Sequence, residues 1–144
     1  MNFITNPDLS YSILGIKGQN KKIMKLILAM IRIDKMAATK LALSDVGLPS
    51  FTAMAVLGRG RGRGGVEKVK GENPELADLI QEMPRLKSKR MITLVVPDEK
   101  KELAVETLIK INQTGKSGDG KIFVIPTTDS IRVRTGESED ITLD

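Results

Sequence analysis

The sequence predicts an α+β fold in which a four-stranded antiparallel sheet carries two helices on one face. Three observations predict it. Two stretches, 34–47 and 97–115, place apolar residues near helical spacing. Four shorter apolar runs, 22–33, 50–58, 89–97 and 121–126, are bounded by Gly, Pro, Asn or Asp and read as strands. Their order along the chain is β-α-β-β-α-β, the ferredoxin-like or split βαβ arrangement.

Each element has its own warrant. "KIMKLILAMIRI" (22–33) is rich in Ile, Leu and Met and reads as a largely buried strand. "DKMAATKLALSDVG" (34–47) sets Met36, Leu41, Leu43 and Val46 near one helical face, with Asp34 as the expected N-cap and Gly47 and Pro49 as the stop. "SFTAMAVLG" (50–58) is the second strand. A long loop follows and carries its own short amphipathic helix, 73–83, with Asn73 as cap, Pro74 at the first position, and Leu76, Leu79, Ile80 and Met83 as its stripe. "KRMITLVVP" (89–97) is the third strand. The second main helix, 97–115, takes Asp98 as cap and Leu103, Ala104, Leu108 and Ile111 as its inner face. "KIFVIP" (121–126) and a short strand "IRVR" (131–134) complete the set. Residues 1–20, with Pro7, Gly15 and Gly18, show no sustained period and read as an irregular N-terminal extension.

Composition narrows the function. With 144 residues, the chain suits one domain with a sizeable core. It has no Cys and no His, which removes disulfides, thiol nucleophiles, triads and imidazole metal sites. A hydrolase would have to work with carboxylates and lysines alone. No apolar run reaches membrane-span length and the start lacks signal-peptide features, so a cytoplasmic address is expected. The net charge of +5 is uneven: nine Lys/Arg oppose five Asp/Glu between Gly58 and Arg90, placing +4 in that segment. One sheet face lacks helices. With one Tyr and three Phe in the chain, base stacking there is a poor fit. Burial against a copy of the chain or a sister chain is the better expectation.

Singly, the motifs carry little weight. "TGKS" (114–117) ends like a phosphate-binding P-loop, but Lys110 occupies the position of its first glycine and a helix precedes it, not a strand. Gly60, Gly62 and Gly65 satisfy G-x-G-x-x-G, yet no helix begins there. What remains is "LGRGRG" (57–62), "GDGK" (118–121) and "IRVRTGE" (131–137). Glycines let backbone N–H groups converge on oxygens, while Lys121, Arg132 and Arg134 supply charge and forked donors. Arg132 and Arg134, two apart on an expected strand, would reach the same face. Alone, each has an ordinary reading: a tight turn, or a solvated strand face.

Together, in this order, the blocks "TAMAVLGRGR", "VVPDEKKELAVETLIKINQTGKSGDGKIFV" and "IRVRTGE" resemble the PII (GlnB-like) nitrogen-regulatory signal-transduction family. The resemblance implies a trimer of ferredoxin-like subunits, or a multiple of trimers. It also implies ATP or ADP in the clefts between subunits, and a long T-loop that contacts targets. It divides the chain into the extension 1–20, a PII-like domain 21–137 with the T-loop at about 59–88, and a tail 138–144. It implies binding roles for Gly58, Gly60 and Arg61 at the loop base, and for Thr52 near the adenine. Gly118, Asp119, Gly120 and Lys121 would meet phosphate, Arg132 and Arg134 would grip it, and Lys89 would pair with a 2-oxoglutarate carboxylate. No catalytic residue and no protein metal site are implied.

Two departures bear on function. The family's usual glutamine after the loop-base arginine is Gly62 here, so 2-oxoglutarate and magnesium lose their customary side-chain ligand; weakened binding of 2-oxoglutarate through backbone donors and Lys89 is expected. The loop has no tyrosine, since Tyr11 is the only one in the chain, so uridylylation at the loop tip is not available. The loop is also longer than usual. With its flanking blocks it resembles the nitrogenase-associated GlnB-like branch, as the second member of that pair. That implies a sensor that inhibits a nitrogenase component by contact, together with a sister GlnB-like chain. The alternatives are a general PII protein acting on an ammonium channel or biosynthetic enzyme, and nucleic-acid binding through the Gly-Arg loop. The last is disfavoured, because three arginines are few and no aromatics lie among them.

Overall fold

The structure, a computed structural model, describes residues 23–60, 74–75 and 86–143. The expected extension 1–20, Arg61, Gly62 and most of the T-loop lie outside the described residues. So does the expected loop helix, apart from Pro74 and Glu75, which are helical.

The elements are β1 (Met24–Ile31), α1 (Met36–Asp45), β2 (Thr52–Gly58), β3 (Lys87–Pro97), α2 (Lys101–Asn112) and β4 (Lys121–Thr127). The sheet has four antiparallel strands in the order β2-β3-β1-β4, the ferredoxin-like topology the sequence predicts. β1 is central, with β3 on one side and β4 on the other. Alternation along the strands sends one set of side chains toward the helices. Ala29 pairs with Ile92 and with Ile122, and Ile27 pairs with Leu94 and with Val124. Ile27, Ala29, Ile31, Ile92, Leu94 and Val96 are buried there against Leu43 of α1 and Ala104 and Leu108 of α2.

The opposite sheet face is apolar and uncovered. Leu26, Leu28, Met30, Met91 and Val95 are half-buried, while Met54, Phe123 and Ile125 are exposed.

The stop of α1 falls where expected, at Gly47, while both helix starts differ from expectation. α1 stops in a Schellman motif: Leu48 N–H reaches the Leu43 carbonyl at 2.8 Å and Gly47 N–H the Ser44 carbonyl at 3.0 Å. Gly47 supplies the left-handed residue at φ +76, and Leu48 is buried beneath it. At the starts, neither Asp34 nor Asp98 caps with its side chain. Each helix is entered through a 3-10 turn, Ile33–Lys35 or Asp98–Lys100, in which backbone bonds do that work. The Asp98 carboxylate instead lies 3.6 Å from Lys25 Nζ, and its N–H bonds to Ile23.

The helix stripes are also corrected. Leu41 is 65% exposed and Leu103 41% exposed, and Ile111 is half-buried. The buried line is Thr39 and Leu43 on α1, and Ala104, Leu108 and Asn112 on α2. Thr39 and Asn112 are polar, and they satisfy one another. Thr39 Oγ1 donates to the Lys35 carbonyl at 2.8 Å and accepts from Asn112 Nδ2 at 3.0 Å; the same amide donates to the Leu108 carbonyl at 2.9 Å.

The expected strand 131–134 is a turn. Ile131 makes a single bridge to Ser138, Gly136 N–H bonds to the Arg132 carbonyl, and Arg132 N–H bonds to the Glu137 carbonyl, each at 2.8 Å. The tail then folds back as a 3-10 turn, Glu139–Thr142, with Thr142 Oγ1 2.6 Å from Ser130 Oγ.

Thr39→Val keeps the side-chain volume but leaves an Asn112 N–H without its acceptor. It is expected to lower the urea-unfolding free energy by about 1–3 kcal/mol. Adding Asn112→Leu should recover part of that loss, because both substitutions act on one shared contact. Additive losses would show that the pair is not the unit.

Candidate functional site

The topology gathers one end of the sheet. β1 runs toward Arg32, β2 ends at Gly58, β3 begins at Lys87 opposite Gly58, and β4 begins at Lys121 opposite Met30. Antiparallel pairing therefore puts the end of β1, the base of the T-loop, Lys89 and the 114–121 turn together.

The turn is the best-defined part. Asp119 draws it closed from within. Its carboxylate accepts Thr114 N–H at 2.7 Å, Gly115 N–H at 3.0 Å, the Thr114 hydroxyl, and the Arg32 guanidinium at 3.3 Å. The Thr114 hydroxyl and N–H, with Arg32 and Gly115 adding to them against partial burial, hold its pKa down to about 2. Arg32 also donates to the Ser117 carbonyl at 2.7 Å. From β3, Lys89 Nζ donates to the Gly118 carbonyl. Desolvation lowers the pKa of Lys89, and repulsion from Arg32 and Lys87 lowers it further; Asp119 and Asp34 offset this in part.

Gly120 has no room for anything larger. A Cβ there would stand 1.7 Å from the Met30 carbonyl oxygen, and its φ is +114. The glycine lets the turn enter β4 directly against β1.

Of the residues the sequence singled out, the structure brings together Lys89, Gly118, Asp119, Gly120 and Lys121, with Gly58 and Gly60 at the same sheet end. It does not bring Thr52 there. Thr52 opens β2, six residues from Gly58, roughly 20 Å along an extended strand. Arg132 and Arg134 lie in the C-terminal turn rather than on a strand, so the argument that they share a strand face fails. Arg132 donates to Glu137 Oε2 at 2.8 Å and to the Ile141 carbonyl at 3.1 Å, partners within its own segment. Arg134 is exposed. Asp119 lies in the turn as expected, with its oxygens facing the turn's own donors and Arg32. Sequence reasoning missed Arg32, which it absorbed into a buried strand. No local signal marked it, since Lys22 and Lys25 share the same run and its partners lie more than eighty residues away.

Two glycines, one inward-turned carboxylate and the ammonium groups of Lys89 and Lys121 at the same sheet end make a surface suited to an anion with several oxygens. The chain belongs to the P-II family and is a nitrogen regulatory protein of that class: the family described as Nitrogen regulatory protein P-II matches residues 24–137. Among curated relatives, the nitrogen fixation nifHD region GlnB-like protein 2 of Methanobacterium ivanovii is 50% identical over 117 residues, covering 80% of this chain and 95% of the relative. Nitrogen regulatory protein P-II 1 of Escherichia coli is 39% identical over 117 residues, covering 81% and 97%. Of solved structures, the B. subtilis GlnK–ATP complex matches with a TM-score of 0.66 and 25% identity, covering 84% of this chain and 96% of that one. Arabidopsis thaliana PII bound to citrate matches with a TM-score of 0.62 and 28% identity, covering 82% and 87%. No helix among the described residues is long and apolar enough to cross a membrane.

Gly120→Ala should cost more than about 2 kcal/mol in unfolding free energy, since both backbone strain and a clash with fixed main chain oppose it. An unchanged denaturation midpoint would contradict the close approach. The depressed pKa of Asp119 makes a second expectation. Its folded value lies below the ordinary aspartate value of about 3.9, so its contribution to the turn is present above about pH 4 and is lost as pH falls toward 2. Amide shifts of Thr114 and Gly115 should titrate with a midpoint near 2; a midpoint near 4 would mean that the carboxylate is not held as described.

Proposed function

We propose that this chain is a non-catalytic nitrogen-status sensor that binds ATP or ADP and 2-oxoglutarate and inhibits a nitrogenase component by direct contact. The observation that carries the ligand half is the convergence of Lys89, Lys121 and the Gly118–Gly120 turn at one end of the sheet, where the one carboxylate of the turn is already engaged by its own donors. The phosphates would lie along the turn, with Lys121 as a point charge and the Gly58–Gly60 backbone closing from the T-loop base. Arg61 belongs to the same proposed loop base. The B. subtilis GlnK–ATP complex and the citrate-bound Arabidopsis PII support a nucleotide and a carboxylate ligand on this fold.

A complete site needs more than one copy. Thr52, proposed for the adenine, is about a strand's length from the turn. Arg132 and Arg134 would act from the C-terminal segment. The uncovered apolar sheet face supports assembly as a trimer, which would bring one protomer's β2 toward another's turn. A sister GlnB-like chain is the proposed second component. The nitrogenase target rests on the relatives named for the nifHD region, and the site of action would be the cytoplasm.

2-Oxoglutarate would be held by Lys89 and loop-base N–H groups, more weakly than with a glutamine at position 62. Among the described residues no cluster of three or more acidic, His or Cys side chains could hold a cation. Magnesium, where it accompanies the nucleotide, would depend on phosphate oxygens instead. The sensing step is a shift of the T-loop between arrangements, and the ligand can drive it only through its differential affinity for them.

Calorimetry tests the binding half. Lys121→Ala should weaken ATP binding by about tenfold or more, the usual loss for a charge-assisted contact. 2-Oxoglutarate should bind the ATP-loaded chain, and more tightly after Gly62→Gln. ATP affinity unchanged in Lys121→Ala would sink the site. Native mass spectrometry with and without both ligands reports assembly directly, and a chain that stays monomeric throughout would sink the trimer.

A further inference from the structure

Arg32 lies at the crossing point of the sheet end and the turn, and it carries no role in the binding scheme above. Its guanidinium spans two groups of the turn. Nη2 donates to the Ser117 carbonyl at 2.7 Å, and Nε and Nη2 reach Asp119 Oδ1 at 3.4 and 3.3 Å. The same group packs over Gly118, within 3.4–3.6 Å of where a Cβ would stand. Asp119 in turn holds Thr114 and Gly115 from the other side. These contacts join positions more than eighty residues apart, tying the end of the central strand to the start of β4.

We propose that Arg32 is a positioning residue: acting through Asp119 and the Ser117 carbonyl, it sets the 114–120 turn in the shape that presents the Gly118–Gly120 backbone and Lys121 to phosphate. The inference rests on the nucleotide reading for its ligand but not for its geometry. One guanidinium can serve a carbonyl and a carboxylate at once because its donors are fixed in a plane; an ammonium in its place would have to divide between them. Without Arg32, Asp119 would keep the Thr114 and Gly115 donors but lose its tie to the end of β1.

The test uses the full chain with two readouts. In the ligand-free protein, amide hydrogen exchange at Thr114 and Gly115 should quicken in Arg32→Ala and be partly restored in Arg32→Lys. Calorimetry with ATP should find Arg32→Ala and Asp119→Asn each weakened by about tenfold, and the double variant weakened by about tenfold as well, because both act on one unit. A double variant weakened by the product of the single effects would mean that Arg32 meets the ligand itself, and would overturn the proposal. Exchange unchanged in Arg32→Ala would overturn it too. A wild-type chain that binds no ATP would refute the nucleotide reading and the ligand half of this inference together, while the exchange result still decides whether Arg32 sets the turn.

Discussion

The carbonyl oxygen of Met30 occupies the space a side chain at position 120 would need. Much of the candidate site follows from that contact. Because residue 120 has no Cβ, the turn can run onto the end of β1 and place Lys121 directly opposite Met30. With the register set, Arg32 stands two residues beyond Met30, within reach of Ser117 and Asp119. Lys89, on the strand across β1, meets Gly118 from the other side. A larger residue at 120 would push β4 outward and separate these groups together.

Rigidity is unevenly distributed along the chain. β1 is hydrogen-bonded on both sides and backed by two helices whose interface includes the satisfied pair of Thr39 and Asn112. The sheet end therefore stands on the part of the fold that opens last. The C-terminal segment has weaker moorings. Its described contacts stay mostly within the segment: short-range backbone bonds, the Thr142–Ser130 contact, the Arg132 bond to the Ile141 carbonyl and the Arg132–Glu137 ion pair, in which both side chains keep solvent exposure. Such pairs contribute little individually.

The sequence was legible where information is local. Strand runs and helix spacing gave six elements in the right order, and the blocks around "GDGK" led to the family that residues 24–137 match. Gly47 was readable as a helix stop because a left-handed residue leaves a local signature. Reading failed where a distant partner decides. Asp98 looks like a cap in its own neighbourhood, but Lys25 takes its carboxylate. Leu41 and Leu103 have the composition of core residues, yet Thr39 and Asn112 fill the interface because each supplies the other's bond. "IRVR" has strand composition, but Gly136 and Glu137 close it into a turn. Arg32 was invisible because its contacts are with Ser117 and Asp119, at the far end of the chain.

The electrostatics give the proposed sensing a direction. Lys89 is held below its ordinary pKa first by desolvation and then by repulsion from Arg32 and Lys87. Asp119 and Asp34 offset part of it. An arriving polyanion relieves it, and attraction in this partly desolvated setting exceeds that at an open surface. The T-loop leaves β2 at Gly58 and returns at Lys87, paired across the same sheet end. An anion bound there changes the charge balance at both stems of the loop at once. For the proposed switch to work, the anion must bind the loop's two arrangements with different affinity, and its place between both stems is what would allow that.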